Sequence, residues 1–156
     1  MRFKGKVIQD WKNVIQGEIL VTKSKISFLG DVDPSTGTIV APDSSIKGAS
    51  ISSKIFIFLE SRGSTVGSNV LFGLSQRSIA PKLIATCKTD LVTVSGAIFG
   101  NVPMISELDE KIFEIFKNGD VAKAYIYKNQ AFLEKVIVPY ERRGANTQRG
   151  TGVFLR

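Results

Sequence analysis

Lys54-Ile55-Phe56-Ile57-Phe58-Leu59, followed after Glu60 by Ser61-Arg62-Gly63-Ser64-Thr65-Val66-Gly67-Ser68, decides the fold. The first stretch is an unbroken apolar run, not an alternating one. That pattern predicts a strand covered on both faces, as in a parallel sheet carrying helices. The Gly/Ser segment is turn chemistry. Val66, Val70, Leu71 and Leu74 then recur at helical spacing up to about Arg77. After Ala80-Pro81, Lys82-Leu83-Ile84-Ala85-Thr86-Cys87 predicts a second strand. A crossover of this length joins parallel strands in the right-handed sense. The centre of the chain is therefore a β–turn–α–β unit.

Working outward, Gly17-Glu18-Ile19-Leu20-Val21-Thr22 predicts a strand and Ile26-Ser27-Phe28-Leu29 a further short extended piece. Gly30-Asp31-Val32-Asp33-Pro34-Ser35-Thr36-Gly37 is a turn, with Pro34 presetting φ and Asp33 able to accept a backbone N–H. Thr38-Ile39-Val40-Ala41 predicts a strand closed by Pro42, and Trp11 is expected to pack on the sheet edge. Downstream, residues 91–99 predict a second short helix leading to Val102-Pro103-Met104-Ile105. Residues 107–116 carry mixed helical signals, and Asn118-Gly119-Asp120 is a turn. Residues 122–127 and 131–138 predict a hairpin across Lys128-Asn129-Gln130. The expectation is one α/β domain over residues 1–138, followed by a basic flexible tail over 139–156.

Composition narrows the chemistry. The 156 residues hold 21 Lys+Arg against 14 Asp+Glu, a net charge of +7, with one Cys and no His. A single domain of this length buries enough surface to fold without staples. A lone Cys excludes a disulfide framework and a self-contained thiolate metal site. Without His there is no Ser-His-Asp or Cys-His catalysis and no imidazole metal ligand. Hydroxyls, carboxylates, ammonium and guanidinium groups remain, or a reactive centre borrowed from a partner. Arg142, Arg143, Arg149 and Arg156 make the tail basic, but Tyr140 and Phe154 are too sparse for a stacking platform, so nucleic acid is not the expected partner. No targeting segment and no membrane span is read, and the expected location is the cytoplasm.

Gly63-Ser64-Thr65 lies where a buried strand hands over to a helix. Backbone N–H groups and the helix dipole there favour an anion, and they would stabilise a Ser alkoxide. Equally, Ser64 or Thr65 can simply cap the helix. Arg62 beside them reads as an anion clamp or as a solvated strand-end arginine. Asp31 and Asp33 read as acid/base groups or as turn formers, and Cys87 as a nucleophile or, the favoured reading, an inert buried thiol.

Ser27-Phe28-Leu29-Gly30-Asp31-Val32-Asp33-Pro34-Ser35-Thr36-Gly37, then Ile46-Lys47-Gly48-Ala49-Ser50-Ile51, then Arg62-Gly63-Ser64-Thr65-Val66-Gly67-Ser68, resemble the small subunits of the aconitase X family. The similarity runs from about Gly5 to about Val138. It implies a swivelling β/β/α domain like the mobile C-terminal domain of aconitases. It also implies a separate large subunit whose three cysteines hold a [4Fe-4S] cluster, with none held by this chain. The implied reaction, in the family's phosphomevalonate branch, is loss of water from (R)-5-phosphomevalonate to give trans-anhydromevalonate 5-phosphate, in a modified mevalonate pathway.

In the family, the serine matching Ser64 is the proton acceptor, and Arg62, Gly63 and Thr65 are expected to contact an anionic, phosphorylated substrate. Two departures bear on this. Val66 stands where citrate-isomerising aconitases have a carboxylate-binding arginine, which argues against a tricarboxylic substrate. Asp31 replaces the family's usual glycine and adds a carboxylate near the site. Two alternatives stay open: a hydroxyproline-type dehydratase subunit, and a non-catalytic anion-binding assembly domain.

Overall fold

The computed structural model describes residues 1–63 and 66–137. The Ser64–Thr65 pair and the tail expected from residue 139 onward lie outside the described residues. β3 (Ile55–Ser61) is the central strand. It pairs in parallel with β2 (Ile15–Ile26) on one side and β4 (Leu83–Lys88) on the other. Ile55 and Ile57 point into one core while Phe56 and Phe58 point into a second, and all four are fully buried. Burial on both faces is what the unbroken apolar run predicted.

β5 (Met104–Ser106) extends the parallel set beside β4. β1 (Arg2–Gln9) runs antiparallel between β5 and β7 (Gln130–Val136), and β6 (Val121–Tyr127) joins β7 to β2. The sheet thereby closes into a barrel in the order β1-β5-β4-β3-β2-β6-β7. Lys128 and Asn129 take positive φ (51° and 66°), the backbone that a tight hairpin turn requires.

The barrel interior is filled by Ile19, Ile57, Ala85, Ile105, Leu133 and their neighbours. A second core lies outside the parallel strands, under α2 (Gly67–Gln76) and α3 (Leu91–Gly100). The helices cross tightly: a Cβ added at Gly96 would lie 3.1 Å from the Ser68 backbone. Residues 32–51 form the rest of that layer, burying Ile39, Ile46 and Ile51. The arrangement is the expected α/β class, with α2 and α3 on the outer side of a mixed sheet and the short helix Ile112–Ile115 packed against the barrel interior.

Three local expectations are corrected. Ile26 ends β2, and Phe28–Asp31 (α1) is a single turn, not an extended piece, because Asp31 N–H bonds back to Ser27 O and Gly30 takes φ +100°. Residues 38–41 form no strand; Thr38 and Ile39 make only isolated bridges, to Ser50 and Val32. Trp11 meets no sheet edge, because the barrel is closed there, and it packs instead against the interior cluster.

Closure depends on Gly5. A Cβ there would stand 2.5 Å from Ile105 Cγ2, a side chain buried in the barrel interior, and 2.8 Å from Ser106 O, backbone of the strand paired with β1. Gly5→Ala should therefore lose about 1–3 kcal/mol through overpacking. That exceeds the roughly 0.5–1 kcal/mol an Ala ordinarily gains over Gly. A lower urea midpoint is expected; an unchanged midpoint would mean the seam is looser than described.

Candidate functional site

Parallel strands deliver their C-terminal ends to one rim, where the chain turns outward and ligands bind in open α/β sheets. Three such turns converge here: Ser27–Asp31 after β2, the Arg62–Gly67 loop after β3, and Thr89–Val92 after β4. A Cβ added at Gly63 would lie 3.4 Å from Val92 Cγ1 and 3.7 Å from Asp90 Oδ2. One added at Gly67 would lie 3.8 Å from Leu29 N and 3.9 Å from Val92 Cγ1. Gly63 and Gly67 thus lie in ordinary contact range of the neighbouring turns: Gly63 of the one after β4, Gly67 of both.

Its base is tied on both sides. Arg62 N–H donates to Ile26 O at 3.0 Å, carrying the β2–β3 pairing one residue past the strand. On the other side, Ser61 Oγ lies 2.6 Å from Thr89 Oγ1 and accepts the Asp90 N–H at 3.2 Å. Asp90 is also the N-cap of α3, its Oδ1 taking the Thr93 N–H at 2.8 Å. Sequence reasoning missed Ser61, Thr89 and Asp90. An Asp at a strand-to-helix boundary is an N-cap signature that could have flagged the last of them.

The electrostatics differ between the two helix starts. Asp90 offsets the positive end of α3, whereas α2 has no acidic side chain in its first turn. The partial positive charge of α2 therefore faces the loop with no carboxylate of its own to offset it. The N-cap position of α2 is Val66; the reading of Ser64 or Thr65 as the cap lies outside the described residues.

Exposed Arg62 borders a cleft of about 280 Å³ that Lys25, Asp31 and Asp43 also line. A larger cleft, about 710 Å³, opens beyond Asp90 and Leu91 and reaches Lys6 and Lys88. The rim itself is apolar: Leu29, Val66 and Leu91 are 44%, 48% and 82% exposed. The two turn carboxylates serve the turn. Asp31 Oδ2 accepts the Ser27 N–H at 2.8 Å. Asp33 Oδ1 takes the Ser35 amide and hydroxyl at 2.9 and 2.7 Å, which holds its carboxyl below the usual range.

The residues match a known domain. The family model described as the aconitase X swivel domain covers residues 2–134. This chain belongs to that family. The swivel domain is 47% identical over 109 residues to the phosphomevalonate dehydratase small subunit of Pyrococcus abyssi, covering 70% of this chain and 82% of that protein. It is 41% identical over 121 residues to the Archaeoglobus fulgidus small subunit of the same name, covering 78% and 89%. Among solved structures it resembles the holo-form aconitase X of Thermococcus kodakaraensis, with a TM-score of 0.78 and 32% identity over 88% of this chain and 99% of that one.

The family implies an iron–sulfur cluster, and this swivel domain does not fit as its holder. The chain has one cysteine and no histidine. Among the described residues no His/Cys/Asp/Glu group is placed to hold a metal ion. Cys87 is 8% exposed, and burial, with Glu110 and Asp109 adding to it, pushes its thiol up to about 11. A ligand thiol would need the opposite shift. Among the described residues no helix is long and apolar enough to cross a membrane.

Because the folded state holds the Cys87 proton more tightly than the unfolded chain does, its contribution to stability is complete below about pH 9. It erodes as the pH rises toward about 11. At pH 8 the native thiol should react with a disulfide reagent at least about tenfold more slowly than the urea-unfolded thiol. Equal rates would show that the thiol is neither buried nor perturbed.

Proposed function

We propose that this chain is the small subunit of a phosphomevalonate dehydratase, a hydro-lyase that is active only when a larger subunit closes over the rim formed by the three turns. The observation that carries the reading is the 47% identity to the Pyrococcus abyssi small subunit, which extends over 82% of that protein. On this reading the substrate is (R)-5-phosphomevalonate, the product is trans-anhydromevalonate 5-phosphate, and the site of action is the cytoplasm. The [4Fe-4S] cluster belongs to the partner, since the donor set of this chain does not suit it.

The work left to this chain is proton removal and anion binding. Ser64 takes the proton α to the substrate carboxylate. A serine hydroxyl is a weak base, so its alkoxide must be favoured by its surroundings. The start of α2, which has no acidic side chain in its first turn, and the Arg62 guanidinium supply positive potential beside the loop. Arg62, Gly63 and Thr65 hold the anionic end of the substrate. Gly63 stands at the base of the loop, beside Val92 and Asp90.

Leu29, Val66 and Leu91 surround this loop and suit a surface that must dock and exclude water. Fully burying one such side chain is worth about 1.5–3 kcal/mol. At 1.4 kcal/mol per decade, Leu91→Asp should weaken assembly about tenfold or more while leaving the isolated domain folded. Co-purification and titration with the large subunit measure this. Undiminished affinity would remove the rim from the interface.

The catalytic claim is tested by Ser64→Ala in the reconstituted two-subunit enzyme. Turnover of phosphomevalonate should fall about 10²–10⁴-fold with assembly intact. Near-wild-type turnover would leave this domain only an anion-binding or assembly role.

A further inference from the structure

From the geometry at the end of β3, we infer that the Ser61–Thr89 hydroxyl pair is a positioning device for the catalytic loop. This inference rests on the reading of Ser64 as the proton acceptor. The last backbone pair between β3 and β4 is Glu60↔Lys88. One step further, where β4 turns off toward α3, the ladder is continued by side chains. Ser61 Oγ and Thr89 Oγ1 lie 2.6 Å apart, and the Asp90 N–H reaches the same serine oxygen at 3.2 Å. Ser61 is 2% exposed and Thr89 and Asp90 are half-buried, so these bonds are partly shielded from water.

On its other side Ser61 remains in register with Ile26 of β2, and the next amide, that of Arg62, bonds to Ile26 O. The residue from which the loop departs is therefore clamped between a backbone ladder and a hydroxyl pair. The catalytic serine follows three positions later. Such an anchor fixes the direction in which the chain leaves the strand, and a misplacement of about 1 Å can cost a reaction about 10²-fold.

A purely structural hydroxyl pair would affect melting alone. A positioning pair affects turnover selectively, and the Thr89→Val and Thr89→Ser variants separate the two because Val keeps the shape and Ser keeps the hydroxyl. In the assembled two-subunit enzyme, Thr89→Val should lower kcat about ten- to a hundredfold with KM within about twofold. Its melting temperature should fall by no more than about a few degrees. Thr89→Ser should restore most of kcat. Should Thr89→Val fail to assemble, Ser61→Ala removes the other half of the pair and carries the same expectations.

Wild-type kcat in Thr89→Val beside an inactive Ser64→Ala would overturn the positioning role and leave the proton acceptor standing. Equal loss in Thr89→Val and Thr89→Ser would also overturn it, since the hydroxyl would not be the determinant. An active Ser64→Ala enzyme would instead remove the reading on which the inference stands.

Discussion

β3 is buried on both of its faces, and the rest of the molecule is arranged around that fact. Ile55 and Ile57 need a barrel interior, while Phe56 and Phe58 need a helical layer outside it. Phe28, Phe56 and Phe58 meet in that outer layer with ring centroids 4.7–6.5 Å apart. A strand with two apolar faces cannot lie at an edge, so it takes neighbours on both sides. Those neighbours, β2 and β4, run parallel to it because the chain returns through covering segments on the outer face. Parallel neighbours end together, and the convergence of three turns at one rim follows from this.

What that rim offers is assembled from ordinary parts. Gly63 lies beside Val92, and Gly67 beside Leu29 and Val92. The first turn of α2 carries no acidic side chain, whereas the start of α3 is capped by Asp90. An apolar border of Leu29, Val66 and Leu91 surrounds the polar centre. The described residues form one wall of the proposed site, and among them no group is placed to hold the metal cluster that the family implies. On the proposed reading, this domain would bring the base and a second subunit the cluster, so the reaction would need both.

The central unit was legible because its signals are local: an apolar run, a Gly/Ser turn and a helical repeat each lie within a dozen residues. The Asp33–Ser35 turn and the Lys128–Asn129 hairpin were readable for the same reason. β1 was not. Its inward positions are Phe3, Gly5 and Val7, and the missing side chain at Gly5 conceals the alternation, although Ile105 and Leu108 fill that space in the barrel. Closure itself was invisible, because it joins β1 to β7 across more than a hundred residues. Thr38-Ile39-Val40-Ala41 has strand composition, but its backbone is satisfied by single bridges to Val32 and Ser50, so composition misled. Ser61, Thr89 and Asp90 escaped notice because two hydroxyls 28 residues apart acquire meaning only when parallel strands place them side by side.

The account stands on the rim of converging strand ends being the face that meets the partner. Amide hydrogen exchange of this chain, alone and saturated with the large subunit, measures it directly. Slowed exchange is expected together in residues 27–33, 62–68 and 89–93, with residues 52–54 and 78–82 at the opposite ends of β3 and β4 unchanged. Protection confined to that opposite end, with the three turns exchanging as they do in the free chain, would contradict the account.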